Sequence, residues 1–239
     1  MMQWIDDPQG TYGCRLVCTG ADIDEAMEER YLSFYKGTKY DIDHPAFDIE
    51  RFIDEALRRD DVEYEPEAAD LGINVLGMTR FNPDGSRLIS ISAGLYRQKD
   101  SLLNRGRFRF TCAHEIFHAV FHRRLFRRDG RIICFGHQIQ EDMIDLPQTL
   151  GDFTEWQANR GAAGLLMPHS IFRENVKRIR ATFGSINQDI LIQSLSNRFD
   201  VSKKSVQIRL KTLGLAKLPD DDLIPEHDGI DSYKDYRER

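Results

Sequence analysis

The sequence predicts an α+β fold, in which a small antiparallel sheet precedes a buried helix and the chain closes in further helices. Changes of hydrophobic period carry that expectation. Apolar residues recur at helical spacing over 47–58, take on strand character over 75–81 and 88–92, and return to helical spacing from about 104 onward. Asn82-Pro83-Asp84-Gly85, between the two strand-like runs, is strong turn chemistry, so those runs are expected to pair as an antiparallel hairpin.

Taken in order, residues 21–36 are acidic and aromatic and read as a helix. In the next stretch Ile49, Phe52, Ile53, Ala56 and Leu57 fall on one buried stripe, and Asp48 is placed to cap its start. The run from Leu88 to Ser92 alternates apolar and polar, as a strand does with one face covered. Over 104–123, Phe108, Phe110, Ile116, Phe117, Val120 and Phe121 leave little polar face, the pattern of a buried helix. Residues 124–153 begin Arg-rich and end acidic, and read as loop with a short strand or two. A second apolar helix is expected over 154–167, stopped by Pro168. Residues 171–215 read as helical throughout, and the acidic, Pro- and Gly-punctuated end reads as an unpacked tail.

Composition narrows the function classes. With 41% hydrophobic and 30% charged residues, the chain of 239 is globular rather than disordered. A net charge of -6 and a pI near 5.7 argue against a nucleic-acid-coating surface. The N-terminus lacks a basic start followed by an apolar run, and no stretch approaches a membrane span. The four cysteines, Cys14, Cys18, Cys112 and Cys134, are then expected as thiols in a reducing cytosol. The expectation is a cytoplasmic protein with no membrane association, its oligomeric state left open.

Chemistry concentrates at His114-Glu115-Ile116-Phe117-His118, an H-E-x-x-H run inside the apolar helix. Two histidines four apart project from one helix face, so both imidazoles reach a single ion. Glu115, next to the first of them, is directed into the same cleft as a catalytic carboxylate. Zinc suits nitrogen and oxygen ligands, and a fourth position left open marks a catalytic site. The competing reading is a pair of core histidines bonded to backbone carbonyls, but a carboxylate is costly to bury unpaired in such a helix. A third ligand is needed. Glu155 stands 37 residues after His118, near the start of the second apolar helix, with Asn159 one turn on. There Asn159 would fix the tautomer of a ligand imidazole. Glu155 is equally explained as a first-turn acid favoured by the helix dipole, and spacing alone leaves those two readings level.

At this point the chain resembles a known family. His114-Glu-Ile-Phe-His118, followed by Glu155-Trp-Gln-Ala158-Asn159-Arg-Gly-Ala162-Ala-Gly-Leu165-Leu166-Met167-Pro168, is similar to the ImmA/IrrE metallopeptidases. These pair HExxH with a downstream E-x-x-A-N-x-x-A-x-x-L-L-x-P helix. Residues 199–215 resemble the family's helical ending, and the likeness runs from about 45 to 215. The resemblance implies a zincin-like catalytic domain over 45–170, preceded by a partly helical extension, 1–44. It is followed by a helical, helix-turn-helix-like subdomain, 171–216, and a flexible acidic tail, 217–239. It also implies one zinc ion per chain held by His114, His118 and Glu155, with Glu115 catalytic. The implied function is a zinc endopeptidase acting on a protein substrate, a transcriptional repressor of helix-turn-helix type in phage, mobile-element or stress regulation. Two departures stand out: Gly161 and Gly164 inside the second helix, where each costs about 1 kcal/mol of propensity, and the long interval between the motifs, which suggests an insertion.

Other candidates are weaker. His122 extends the histidine stripe by one turn, but a fourth ligand would close the catalytic position, so packing or support of a ligand is expected. His137 and His169 are candidate oxyanion donors. Cys14-x-x-x-Cys18 lacks a second pair at metal-finger spacing, and Cys112 reads as core. Residues 187–215 have helix-turn-helix spacing, and Lys203, Lys204, Arg209 and Lys211 are the cations that would meet phosphates, although direct DNA binding is not favoured. The rival function is a regulator that binds a repressor or DNA without cutting, its metal structural or vestigial. A toxin–antitoxin component is a third.

Overall fold

The computed structural model describes residues 1–8, 13–36, 44–55, 57–69, 71, 72, 74–126, 133–137, 150–183 and 187–215, with the backbone alone at 126, 133–137 and 150–152. The acidic tail, most of 124–149 and parts of 1–44 therefore lie outside the described residues. The chain divides into two compact units: residues 3–16 with 48–162, and residues 1–2 and 17–47 with 163 onward.

The first unit is α+β. Strands β1 (Gln3–Asp6) and β2 (Cys14–Val17) pair in a two-stranded sheet. Helix α2 (Ile49–Glu55) starts where expected, with Asp48 Oδ1 accepting from Arg51 N at 3.2 Å, and a 3-10 turn (Leu57–Asp60) follows. Strands β3 (Val62–Ala68), β4 (Gly77–Phe81) and β5 (Arg87–Ser92) come next, then the short α3 (Ala93–Tyr96), α4 (Arg105–Phe121), a second 3-10 turn (Arg123–Phe126) and β6 (Ile133–His137). The strand order is β3-β5-β4-β6. β4 and β5 form the expected antiparallel hairpin, with Thr79 opposite Ile89, around the Asn82–Gly85 turn in which Gly85 N donates to Asn82 O at 3.0 Å.

Two expectations change. The sheet is mixed, because β3 runs parallel to β5. β3 is hard to read in sequence, since Glu63, Glu65 and Glu67 alternate along it and Pro66 interrupts it. Both features suit an edge strand, where an outer face meets water and a missing N–H breaks no ladder. β5 is consequently central, and the polar face expected to meet water is partly covered. Its Ser90 is buried along with Ile89 and Ile91, and the Ser90 hydroxyl donates to Glu65 Oε2 at 2.8 Å.

α4 packs on this sheet and is buried from Phe108 to Ala119. Arg87, at the start of β5, donates through Nη1 to the Ala119 carbonyl at 2.9 Å and through Nη2 to the Asp60 carbonyl, tying the last turn of the helix to the sheet. Helix α5 (Leu150–Leu166) begins four residues earlier than the apolar pattern suggests, and the break between the two units falls inside it.

The second unit is helical. α1 (Gly20–Phe34) opens with a reciprocal cap: Asp22 N donates to Thr19 Oγ1 at 3.1 Å, and Thr19 N donates to Asp22 Oδ2 at 2.9 Å. α6 (His169–Phe183), α7 (Gln188–Phe199) and α8 (Lys203–Thr212) bear out the helical reading of 171–215. Asp200, left-handed at φ 56°, ends α7, and the Ser202 hydroxyl accepts from Ser205 N to start α8. Arg209 is a correction. It is fully buried, donating to Asp24 Oδ1 at 2.7 Å and to the Met167 carbonyl at 2.9 and 3.1 Å, so it cannot meet a phosphate. Among the described residues no helix is long and apolar enough to cross a membrane.

Candidate metal centre

α4 carries His114, His118 and His122 four apart, and so on one face. All three are buried, and successive rings lie 4.7 and 4.9 Å apart between centroids. α5 brings Glu155 to them. Its Oε2 is 3.1 Å from His114 Nε2, its Oε1 is 3.3 Å from His118 Nε2, and the two Nε2 atoms are 3.0 Å apart. His114, His118 and Glu155 each offer one donor atom within 4.8 Å of the others. Two imidazole nitrogens and a carboxylate oxygen are a donor set that zinc takes readily. Asn159, one turn beyond Glu155, places Oδ1 3.0 Å from His114 Nδ1. An amide oxygen only accepts, so Nδ1 carries the hydrogen and His114 Nε2 keeps its lone pair for the cluster. The residues thus fit a metal ion, while the affinity order of divalent metals leaves its identity to loading.

The electrostatics agree. Burial disfavours the charged form of His114, but the Glu155 and Glu115 carboxylates outweigh it and strengthen its hold on a proton. Burial alone would raise Glu155, yet the His114 and His118 imidazoles against it hold its carboxyl well below the usual range. A negative carboxylate against two imidazoles attracts positive charge, whether protons or a metal.

Glu115 is also buried, and burial pushes its carboxyl up to about 7. Thr79 Oγ1, on β4, lies 2.7 Å from Glu115 Oε2 and 3.0 Å from the Glu115 carbonyl. Beneath it the strand backbone comes very close to α4. A Cβ on Gly77 would stand 2.6 Å from Thr111 Cγ2 and 2.9 Å from Glu115 Cγ, so only glycine fits. Sequence reasoning missed Thr79 and Gly77. The available signal was a small and a polar residue in the inward register of a strand whose other inward residue is Phe81.

His122 does not join the three donor residues; it stands between His118 and Gln157, a residue that spacing did not single out. Gly161 admits α4 closely: a Cβ there would come 2.0 Å from the Phe117 ring. Gly164 instead faces Asp24 and Met27 of α1. His169 belongs to the helical unit, where its Nε2 accepts from Arg173 Nε at 2.7 Å. His137 pairs through its backbone with Gly77, and its side chain lies outside the described residues. Cys14, Cys18 and Cys112 are buried thiols.

Residues 99–211 match the family model of the IrrE N-terminal-like domain, Peptidase_M78, a stretch that holds α4, α5 and most of the C-terminal helices. No curated protein matches the chain.

Proposed function

We propose, for a chain that belongs to the ImmA/IrrE family of metallopeptidases, that it is a zinc endopeptidase whose ion is held by His114, His118 and Glu155. The observation that supports this best is the convergence of three buried donors, two of them on one helix and the third delivered by another. The chemistry a zinc ion supplies there is Lewis acidity, which lowers the pKa of a water and polarises a carbonyl.

The remaining work falls to the chain's own groups. Glu115 takes the proton from the attacking water and later gives it to the leaving amine, the double role that general acid–base catalysis requires. A carboxyl raised to about 7 by burial is suited to both halves of that exchange near neutral pH. Thr79, by donating to Glu115 Oε2, fixes the carboxylate's rotation. Asn159 holds the ring of His114. The substrate class, a helix-turn-helix transcriptional repressor in the cytoplasm, follows from the family resemblance and fits the buried thiols. A protein segment cut in such a site must be extended, and among the described residues the sheet edges on which it would add as a strand are β3 and β6.

The test is a Glu115→Gln variant assayed against a panel of unfolded and repressor proteins. Cleavage by the wild type, lost by at least about a hundredfold in the variant with metal retained, is the expected result. Undiminished cleavage by Glu115→Gln would remove Glu115 from its role. Repressor binding without cleavage by either protein would favour the non-proteolytic regulator.

A further inference from the structure

A chain of hydrogen bonds leads away from the metal centre through His122, and each link fixes the next. Gln157 Nε2 donates to the Leu16 carbonyl oxygen at 2.9 Å. Because a carbonyl only accepts, that contact sets the orientation of the amide and turns Gln157 Oε1 toward His122 Nε2, 2.9 Å away. The amide oxygen is likewise only an acceptor, so His122 Nε2 bears a hydrogen. His118 Nε2 faces the other two donor groups, 3.0 Å from His114 Nε2 and 3.3 Å from Glu155 Oε1, so an ion held there would take that nitrogen's lone pair and leave the hydrogen of the ring on Nδ1. His118 Nδ1 lies 2.8 Å from His122 Nδ1 and donates to it, while Gln157 accepts the hydrogen on His122 Nε2. With its hydrogen on Nδ1, His118 presents its Nε2 lone pair to His114 and Glu155.

We propose that Leu16, Gln157 and His122 form a relay of oriented hydrogen bonds that locks His118 in its Nδ1–H tautomer and aims its Nε2 lone pair at the metal position. His122 and Gln157 are then positioning residues, performing for His118 the task Asn159 performs for His114. The relay also explains a buried imidazole beside two others that adds no fourth ligand: it is occupied on both nitrogens. The inference rests on the metal-centre reading above and deepens it. Outer partners of this kind change metal affinity about 10–100-fold when removed.

The test uses the full chain with its histidine rings labelled with ¹⁵N, metal-free and loaded with zinc. The expected result is a ¹⁵N–¹⁵N coupling across the hydrogen bond between His118 Nδ1 and His122 Nδ1, with the proton on His118. Zinc affinity, measured by competition with a chromophoric chelator, should fall about 10–100-fold in Gln157→Leu. It should largely recover in Gln157→Glu, which keeps an acceptor for His122. A proton on His122 Nδ1, a His122 nitrogen bound to zinc, or unchanged affinity in Gln157→Leu would overturn the relay. The coupling is read in the wild type, so it decides the matter even if Gln157→Leu fails to fold. Failure of the wild type to bind zinc would instead bring down the proposed function, with the coupling in the metal-free protein still reporting on the relay.

Discussion

A carboxyl group sealed from water resists ionisation, and Glu115 is sealed. Its pKa, raised to about 7, stands above the unfolded value of about 4.3. Between those two values the folded metal-free protein binds the extra proton, so stability is full below the window and lost as pH rises through it. Glu115→Gln removes that slope. The gap in urea midpoint between the two metal-free proteins should therefore shift in favour of the variant from about pH 4 to about pH 8. A gap that does not change with pH would show that Glu115 ionises as freely as in the unfolded chain. At this scale the HExxH triplet was legible because its members share one helix, where spacing dictates direction. Thr79 and Gln157 were not, since each meets its partner 36 or 35 positions away through tertiary packing.

At the scale of elements, the site depends on how closely β4 and α5 approach α4. Gly161 shows which force governs the α4–α5 contact. Replacing it with alanine gains about 1 kcal/mol of helix propensity. The added methyl would meet the Phe117 ring at 2.0 Å, and Phe117 is fully buried with little room to move. Overpacking of this kind costs about 1–3 kcal/mol or more, so Gly161→Ala should destabilise the protein and weaken metal binding by displacing Glu155. A thermal melt and a metal titration check both, and a stabilised variant would show that the helices are free to separate. The apolar runs announced α2, α4, α5 and the β4–β5 hairpin because burial imposes their periods. β3 stayed hidden because an edge strand with glutamates outward and a proline inside has no apolar alternation to display.

At the scale of the whole molecule, the two compact units draw on different interactions. The one that carries the site is a sheet with α4 against it, closed by Arg87. The helical one has at its centre a buried ion pair, Arg209 with Asp24, which also satisfies the Met167 carbonyl just beyond α5. Arg209 read as a surface cation because a lone arginine on a helix usually is one, and its acidic partner lies 185 positions away. Arg209→Met should cost about 3–5 kcal/mol by leaving a buried carboxylate without its cation. Asp24→Leu combined with Arg209→Met should recover part of that loss, and urea unfolding of the three proteins tests the pair. Equal stability of Arg209→Met and wild type would show that Asp24 is solvated. The order of helices and strands, and the H-E-x-x-H motif, were thus written locally. The pairing of β3, the burial of Arg209 and the support of His118 were written in contacts between distant segments.

The most direct test of the metal centre is the metal content of freshly purified protein, measured by mass spectrometry beside a Glu155→Ala variant. About one zinc per wild-type chain is expected, with a loss or marked weakening in the variant. A wild-type chain that stays metal-free after reconstitution, or a Glu155→Ala variant that holds its ion as tightly, would contradict that.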